Sequence, residues 1–365
     1  MILELKEANQ LPVKTFRWLG VNELKLIKEI PEIKPFPPVE LTGKGVRDAV
    51  IGLKHNPSGI ELPQTGMGEE TSAFLHRYRN REWAITVPKG KKIAEPLFLS
   101  YRLDQENPVL AEELLIQAEQ DSELTLVITY EGEAGLPLFH GGLIYLLAGK
   151  NAVINLIQIQ LLPGEGIHLN NIGGACREGA SIKITQCELG GGHAVSGIMT
   201  ALRGENSEMT VDTIYLGDGE RFLDLNYVAN HYGKNTKSNM RVNGALFDNS
   251  RKIFRGTIDF KKGASGSEGA EGEYTLLFDK NIKNISVPLI LCGEENVSGK
   301  HAANSGRIDE NQLFYLMSRG LSEGEAKKLI LEAWFHPVLD TIPSETLREQ
   351  VFGYVKERLN HVKSI

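Results

Sequence analysis

From about residue 110 to 290 the chain alternates in character at every second position, the pattern of β-strands whose two faces meet different surroundings. Leu124, Leu126, Ile128 and Tyr130 interleave with Thr125, Val127 and Thr129, and Val153, Ile157, Ile159 and Leu161 do so around Gln158 and Gln160. Ile182 and Ile184, Met209 and Val211, Met240 and Val242, then Ile253 and Ile258 continue the series. Glycines break it at 190–192, 204, 217, 219, 233, 244 and 256. Short strands at roughly ten-residue spacing predict a mainly β body: a sandwich, a barrel or a solenoid, with no repeat of fixed length to choose the last. Glu82–Val87 and Leu97–Leu103 read as two further strands, parted by the turn residues Pro88, Lys89 and Gly90.

Beyond residue 305 the period changes. Asp309 with Gln312 reads as a helix start, Leu313, Leu316 and Met317 fall on one face, and Gly320 is a stop. Ser322 with Glu325 repeats the capping pattern ahead of Ala326, Leu329, Ile330, Ala333 and Trp334. A last helix starts at Pro343 and Ser344 and carries Leu347, Val351, Val355 and Leu359. At the other end, Trp18, Val21, Leu24 and Ile27 recur three apart and predict one helical face, and Pro31, Pro35, Pro37 and Pro38 predict an extended connector. The small acidic stretch 261–273 reads as a loop. The expected organisation is a helical or irregular region over 1–80, a β core over 81–305 and a helical region over 306–365.

Charge and composition narrow the function. The 365-residue chain has a net charge of −7 and no long Lys/Arg block, which disfavours a general nucleic-acid binder. No apolar run reaches membrane-spanning length and the start lacks a signal-peptide pattern, so a cytoplasmic location is expected. Cys176, Cys187 and Cys292 are odd in number and widely spaced, which fits a reducing compartment.

Catalytic motifs are missing: no GxSxG elbow, no Gly-Lys-Ser/Thr phosphate loop, no HExxH and no dinucleotide fingerprint. The glycines 190–192 before His193 read as a turn. Asp218 with Glu220, or Glu268, Glu271 and Glu273, are candidate acid–base carboxylates, against the commoner reading of solvated faces. His193, His231, His301 and His336 join the three cysteines as dispersed soft-metal ligand types. The histidine before the first C-terminal helix, His301, sits in an expected loop over 299–308.

Two segments carry a resemblance: NHYGKNTKS at 230–238 and RKIFRGTIDF at 251–260. With the run from SVPLILCGEENVSGKHAANSGRIDENQLFYLMSRG to HPVLDTIP, they resemble the SufB/SufD family of iron–sulfur cluster assembly proteins. The resemblance implies a right-handed parallel β-helix core with an irregular N-terminal region and a C-terminal α-helical domain. It also implies a SufC-type ABC ATPase bound to the helices through Leu313, Leu316, Leu329 and Trp334, and a second SufB/SufD-type subunit, alike or paralogous. His301 matches the histidine implicated in building a cluster between the two β subunits. Glu273 stands where SufB members carry a functional cysteine, Ala302 where they carry a glutamate, and Gly299 where many carry a cysteine. His301 and Glu273 are therefore the candidate ligands of a transient iron–sulfur cluster, in a SufD-like or diverged SufB-like scaffold that binds no nucleotide and is not an enzyme. A carbohydrate-acting β-helix enzyme and a purely structural SUF subunit are the alternatives.

Overall fold

The computed structural model describes residues 1–16, 19–52 and 61–360. An antiparallel pair, β1 (Ile2–Ala8) and β2 (Leu24–Glu29), comes first. Leu24 and Leu26 point into a shared core while Ile27 is exposed, so this is a strand alternation and the helical face expected there is not formed. Trp18, its fourth member, lies outside the described residues. The short β3 (Val50–Gly52) and the helix α1 (Glu69–Tyr78) follow.

The strands then run β4 (Arg81–Val87), β5 (Leu97–Leu103), β6 (Val109–Ala118), β7 (Glu123–Gly132), β8 (Phe139–Ala148), β9 (Val153–Leu161), β10 (Ile167–Cys176) and β11 (Ser181–Glu188). They continue as β12 (His193–Leu202), β13 (Glu208–Gly217), β14 (Phe222–His231), β15 (Lys237–Leu246), β16 (Arg251–Phe260), β17 (Ser267–Leu277), β18 (Lys283–Cys292) and β19 (Val297–Gly306). Even-numbered strands β4 to β18 stack in one parallel sheet, extended by antiparallel β3, and odd-numbered strands β5 to β19 stack in another. The chain is therefore a two-sheet parallel solenoid of about eight turns. The loop expected over 261–273 is half strand: β17 starts at Ser267, and its small residues serve packing, since a Cβ on Gly269 would lie 2.6 Å from Ile258.

Six successive turns pass one corner through a residue of positive φ followed by a small buried one: Asp121-Ser122, Asn151-Ala152, Gly179-Ala180, Asn206-Ser207, Asn235-Thr236 and Gly266-Ser267. Gly and Asx tolerate that left-handed backbone, which β-branched residues avoid. Their amides climb the stack, Asp121 donating to Lys150 O, Asn151 to Glu178 O and Gly179 to Glu205 O. The rise from turn to turn varies between 26 residues, where Ile167 pairs with His193, and 32, where Arg251 pairs with Lys283. That variation hides the repeat from a fixed-length search.

The central core lies between the sheets, and both outer faces are covered as well. α3 (Glu323–Leu339) and α4 (Glu345–Leu359) set Leu331, Phe335, Val351 and Val355 against Ile157, Ile159, Leu161 and Ile214 of the odd sheet. β1 and β2 set Leu3, Leu5 and Leu26 against Val109, Phe139 and Leu169 of the even sheet. Because both faces are buried, alternation no longer separates core from solvent. Gln158 and Gln160 face the lumen at 2% and 1% exposure, and Ile157 and Ile159 face the helices. α2 (Glu310–Ser318) buries no residue. No helix among the described residues is long and apolar enough to cross a membrane.

Candidate functional site

The two ends of the solenoid differ. At the first turn Thr42 pairs with Phe98 through N–H···O bonds of 3.0 and 2.9 Å, and Phe36 and Leu41 plug the core. At the last turn, among the described residues, β18 pairs only with β16 and β19 only with β17, so two ten-residue strands each leave one edge without a neighbour there. His301 stands here, on a strand rather than in a loop, and it is exposed.

Register decides which groups meet. Paired residues of parallel strands share a face. His301 pairs with Glu271, Ala303 with Glu273 and Gly299 with Gly269. Glu271 and Glu273 lie one turn below, 5% and 1% exposed. Glu273 is in direct contact with the Lys252 ammonium of β16, which is fully buried, and it accepts from Thr275 Oγ1 at 3.4 Å, itself bonded to Tyr215 Oη at 2.6 Å. Burial pulls Lys252 well below its ordinary value, and the charge of Glu271 opposes that shift. Burial also lifts the Glu271 carboxyl to about 7 against the pull of Lys252. Room for that carboxyl comes from Gly256, where a Cβ would lie 2.6 Å from its Cδ. A Cβ on Gly299 would lie 2.9 Å from Ile290, so this position has no room for a larger residue without a shift.

Of the two ligands expected from sequence, His301 and Glu273 stand on adjacent strands two register positions apart, and the neighbour of His301 is Glu271. Among the described residues no three His, Cys, Asp or Glu side chains are grouped to hold a metal ion. Cys292 is exposed on β18 in register with Phe260. Cys176 and Cys187 are buried, and burial pushes both thiols up. His231 is engaged at both nitrogens by Thr236 and Ser238, at 2.7 and 2.9 Å. Lys252 was missed by sequence reasoning. Its one signal was a charge at an inward strand position, RKIF, legible only once the register is known.

The second exposed region is α2. Asp309 caps it by accepting from Asn311 N at 2.8 Å, and the Ser322–Glu325 capping box of α3 is formed. Leu313 and Leu316 are half-buried, whereas Phe314, Tyr315 and Met317 are 74%, 55% and 41% exposed. Leu329 on α3 is 45% exposed, and Trp334 is half-buried edge-on against Tyr274. The outward apolar face of α2 is thus Phe314, Tyr315 and Met317; of the three residues that periodicity selected, Leu313 and Leu316 are half-buried and Met317 is exposed.

Comparison with known proteins adds a family to this geometry. The family described as "SUF system FeS cluster assembly, SufBD core domain" matches residues 101–334. The chain is 26% identical over 277 residues to the iron–sulfur cluster assembly protein SufD of Bacillus subtilis (strain 168), covering 75% of this chain and 63% of that protein. It is also 26% identical over 267 residues to SufB of the same organism, covering 72% and 56% respectively. A SufBD family protein of Mycobacterium leprae (strain TN) matches 72% of this chain at 26% identity, over 30% of its own length. The matched part thus spans less than two thirds of each of these relatives.

Proposed function

Because this chain belongs to the SufB/SufD family of SUF iron–sulfur cluster assembly proteins, we propose that it is a non-enzymatic scaffold subunit. In this reading it joins a second SufB/SufD-type subunit at its open last turn and is coupled to a SufC-type ABC ATPase through α2 and α3. The observation that carries the proposal is the asymmetry of the solenoid, one end plugged and the other left with two unpaired edges beside an exposed histidine. Unpaired strand edges are templates for another chain, and proteins that do not use them cover them. A second subunit laid against this end would hydrogen-bond those edges and place its own side chains beside His301.

The cluster is cargo here, assembled and passed on. His301 offers one imidazole and Glu271 lies on the next rung, while Glu273 is occupied by Lys252, so the remaining ligands would come from the partner. Thiolates suit an iron–sulfide cluster better than carboxylates do, which favours a partner that supplies cysteine. ATP binding belongs to the SufC-type subunit, whose two states would need different contacts with α2 to move the scaffold. A cytoplasmic location goes with this reading.

Co-expression with the cognate ATPase and a second family subunit tests it. The complex should co-purify, and Phe314→Ser with Leu329→Ser should release the ATPase without altering the unfolding of the β body. Persistence of the ATPase in that double variant would sink the docking surface. His301→Ala should lower iron and sulfide incorporated under anaerobic reconstitution while the complex stays assembled. An unchanged yield would remove His301 from the site and leave a purely structural subunit.

A further inference from the structure

Deep in the lumen, four to six turns away from the open end, four titratable side chains form a line. His140 and His168 occupy the same register position of β8 and β10, their rings stacked at 4.7 Å and 20°, with Nδ1 facing Nδ1 at 2.8 Å. The outer nitrogens face carboxylates: His140 Nε2 lies 3.5 Å from Glu112 Oε1, and His168 Nε2 lies 3.5 Å from Glu188 Oε1. All four residues are 1% exposed or less. Among the described residues both Nε2 atoms, Glu112 Oε2 and Glu188 Oε2 have no other hydrogen-bond partner. Tyr130 Oη donates to Glu112 Oε1 at 2.5 Å, which leaves that carboxyl oxygen an acceptor.

A proton count follows from this geometry. The Nδ1···Nδ1 contact needs one proton between the rings. Each Nε2 needs a proton as well, because a bare lone pair aimed at a buried carboxylate is repulsive in a low-dielectric interior. That is three protons on two imidazoles, one more than two neutral rings carry. We propose that Glu112, His140, His168 and Glu188 form a buried proton-binding site, in which one imidazolium is shared across the His140–His168 contact and clamped between two glutamates. The extra proton resides on imidazole rather than on a carboxyl because imidazole is the more basic group.

The surroundings agree. Facing the line are Tyr130 from β7, pushed up by burial and then by Glu112, and Arg221 ahead of β14, which interacts with Glu188. Burial alone would raise the Glu188 carboxyl, yet the charge and hydrogen bond of His168 hold it down. Burial lowers His140 to about 4, and its hydrogen bond with Glu112 opposes that shift. This site is independent of the proposed assembly role.

Selectively 15N-histidine-labelled full-length chain, followed by NMR from pH 6 to 9, reads the site directly. At pH about 8.5, roughly two units above the ordinary imidazole value, one imidazolium, protonated at both nitrogens, should persist. Glu188→Gln supplies an amide N–H that can donate to His168 Nε2, so the third proton is no longer required and the upward shift should vanish. Two neutral imidazoles in the native chain at pH about 8.5, or an undiminished shift in E188Q, would overturn the proposal. Should E188Q fail to fold, the native titration decides alone.

Discussion

The first and last turns of this solenoid are built from the same β-strand geometry and end differently. At the first turn Phe36 and Leu41 enter the core, Thr42 pairs with β5, and β3 pairs antiparallel with β4, so both sheets stop under a cover. At the last turn almost every residue of β19 is exposed, and β18 is mostly half-buried. The lumen beneath is charged, holding Lys252, Glu271 and Glu273 where the first turn holds Trp83, Tyr101 and Leu103. In a parallel stack every interior turn satisfies its backbone through its neighbours, so only the ends have unpaired groups to dispose of. A covered apolar end is a structural solution, whereas the open charged end is the one that the proposed second subunit would cover.

The largest expected effect breaks the charged lumen. Lys252→Met leaves Glu273 buried without its cation and should cost about 4 kcal/mol in urea unfolding, the range for removing one partner of a buried ion pair. Adding Glu273→Leu should restore most of the loss. A double variant no better than the single one would mean that Lys252 packs but does not pair. At the plugged end, Phe36→Ala removes an aromatic ring set edge-on to Tyr101 and should cost about 3 kcal/mol by loss of burial and creation of a cavity. A cost near zero would erase the distinction between the ends. The smallest effect is a pH dependence confined to the open end. With the Glu271 carboxyl raised to about 7 in the folded state, its contribution is full below its unfolded value and is lost as pH rises through 7. Between pH about 5.5 and 8.5 this amounts to about 2 kcal/mol. Glu271→Gln should remove that loss, while Phe36→Ala should keep it.

How far the fold could be read from the chain differs by element. The C-terminal helices were legible because capping is local: Ser322 and Glu325 meet within one turn, and Ser344 caps α4 by accepting from Leu347 N. The strands were legible as alternation, and the solenoid came from family resemblance. Its own signal, the left-handed Asx or Gly followed by a small residue, was present in the chain but drifted in spacing. The helical face expected around Leu24 was a coincidence of spacing that pairing with β1 overrode. At the candidate site, His301 was legible as a residue, but its rung neighbour Glu271 and the capture of Glu273 by Lys252 were not. Those meetings join residues 30 and 21 positions apart in the chain and depend on register.

By itself the sequence determined what is local: which segments alternate, where helices start and where the backbone can turn left-handed. Only the tertiary structure decided which polar side chains face the lumen, that His140 stacks on His168, and that one end stays open. The physical reason is that a buried polar group is tolerated only beside a partner, and in a parallel stack that partner comes from another strand, at a chain distance that varies from turn to turn.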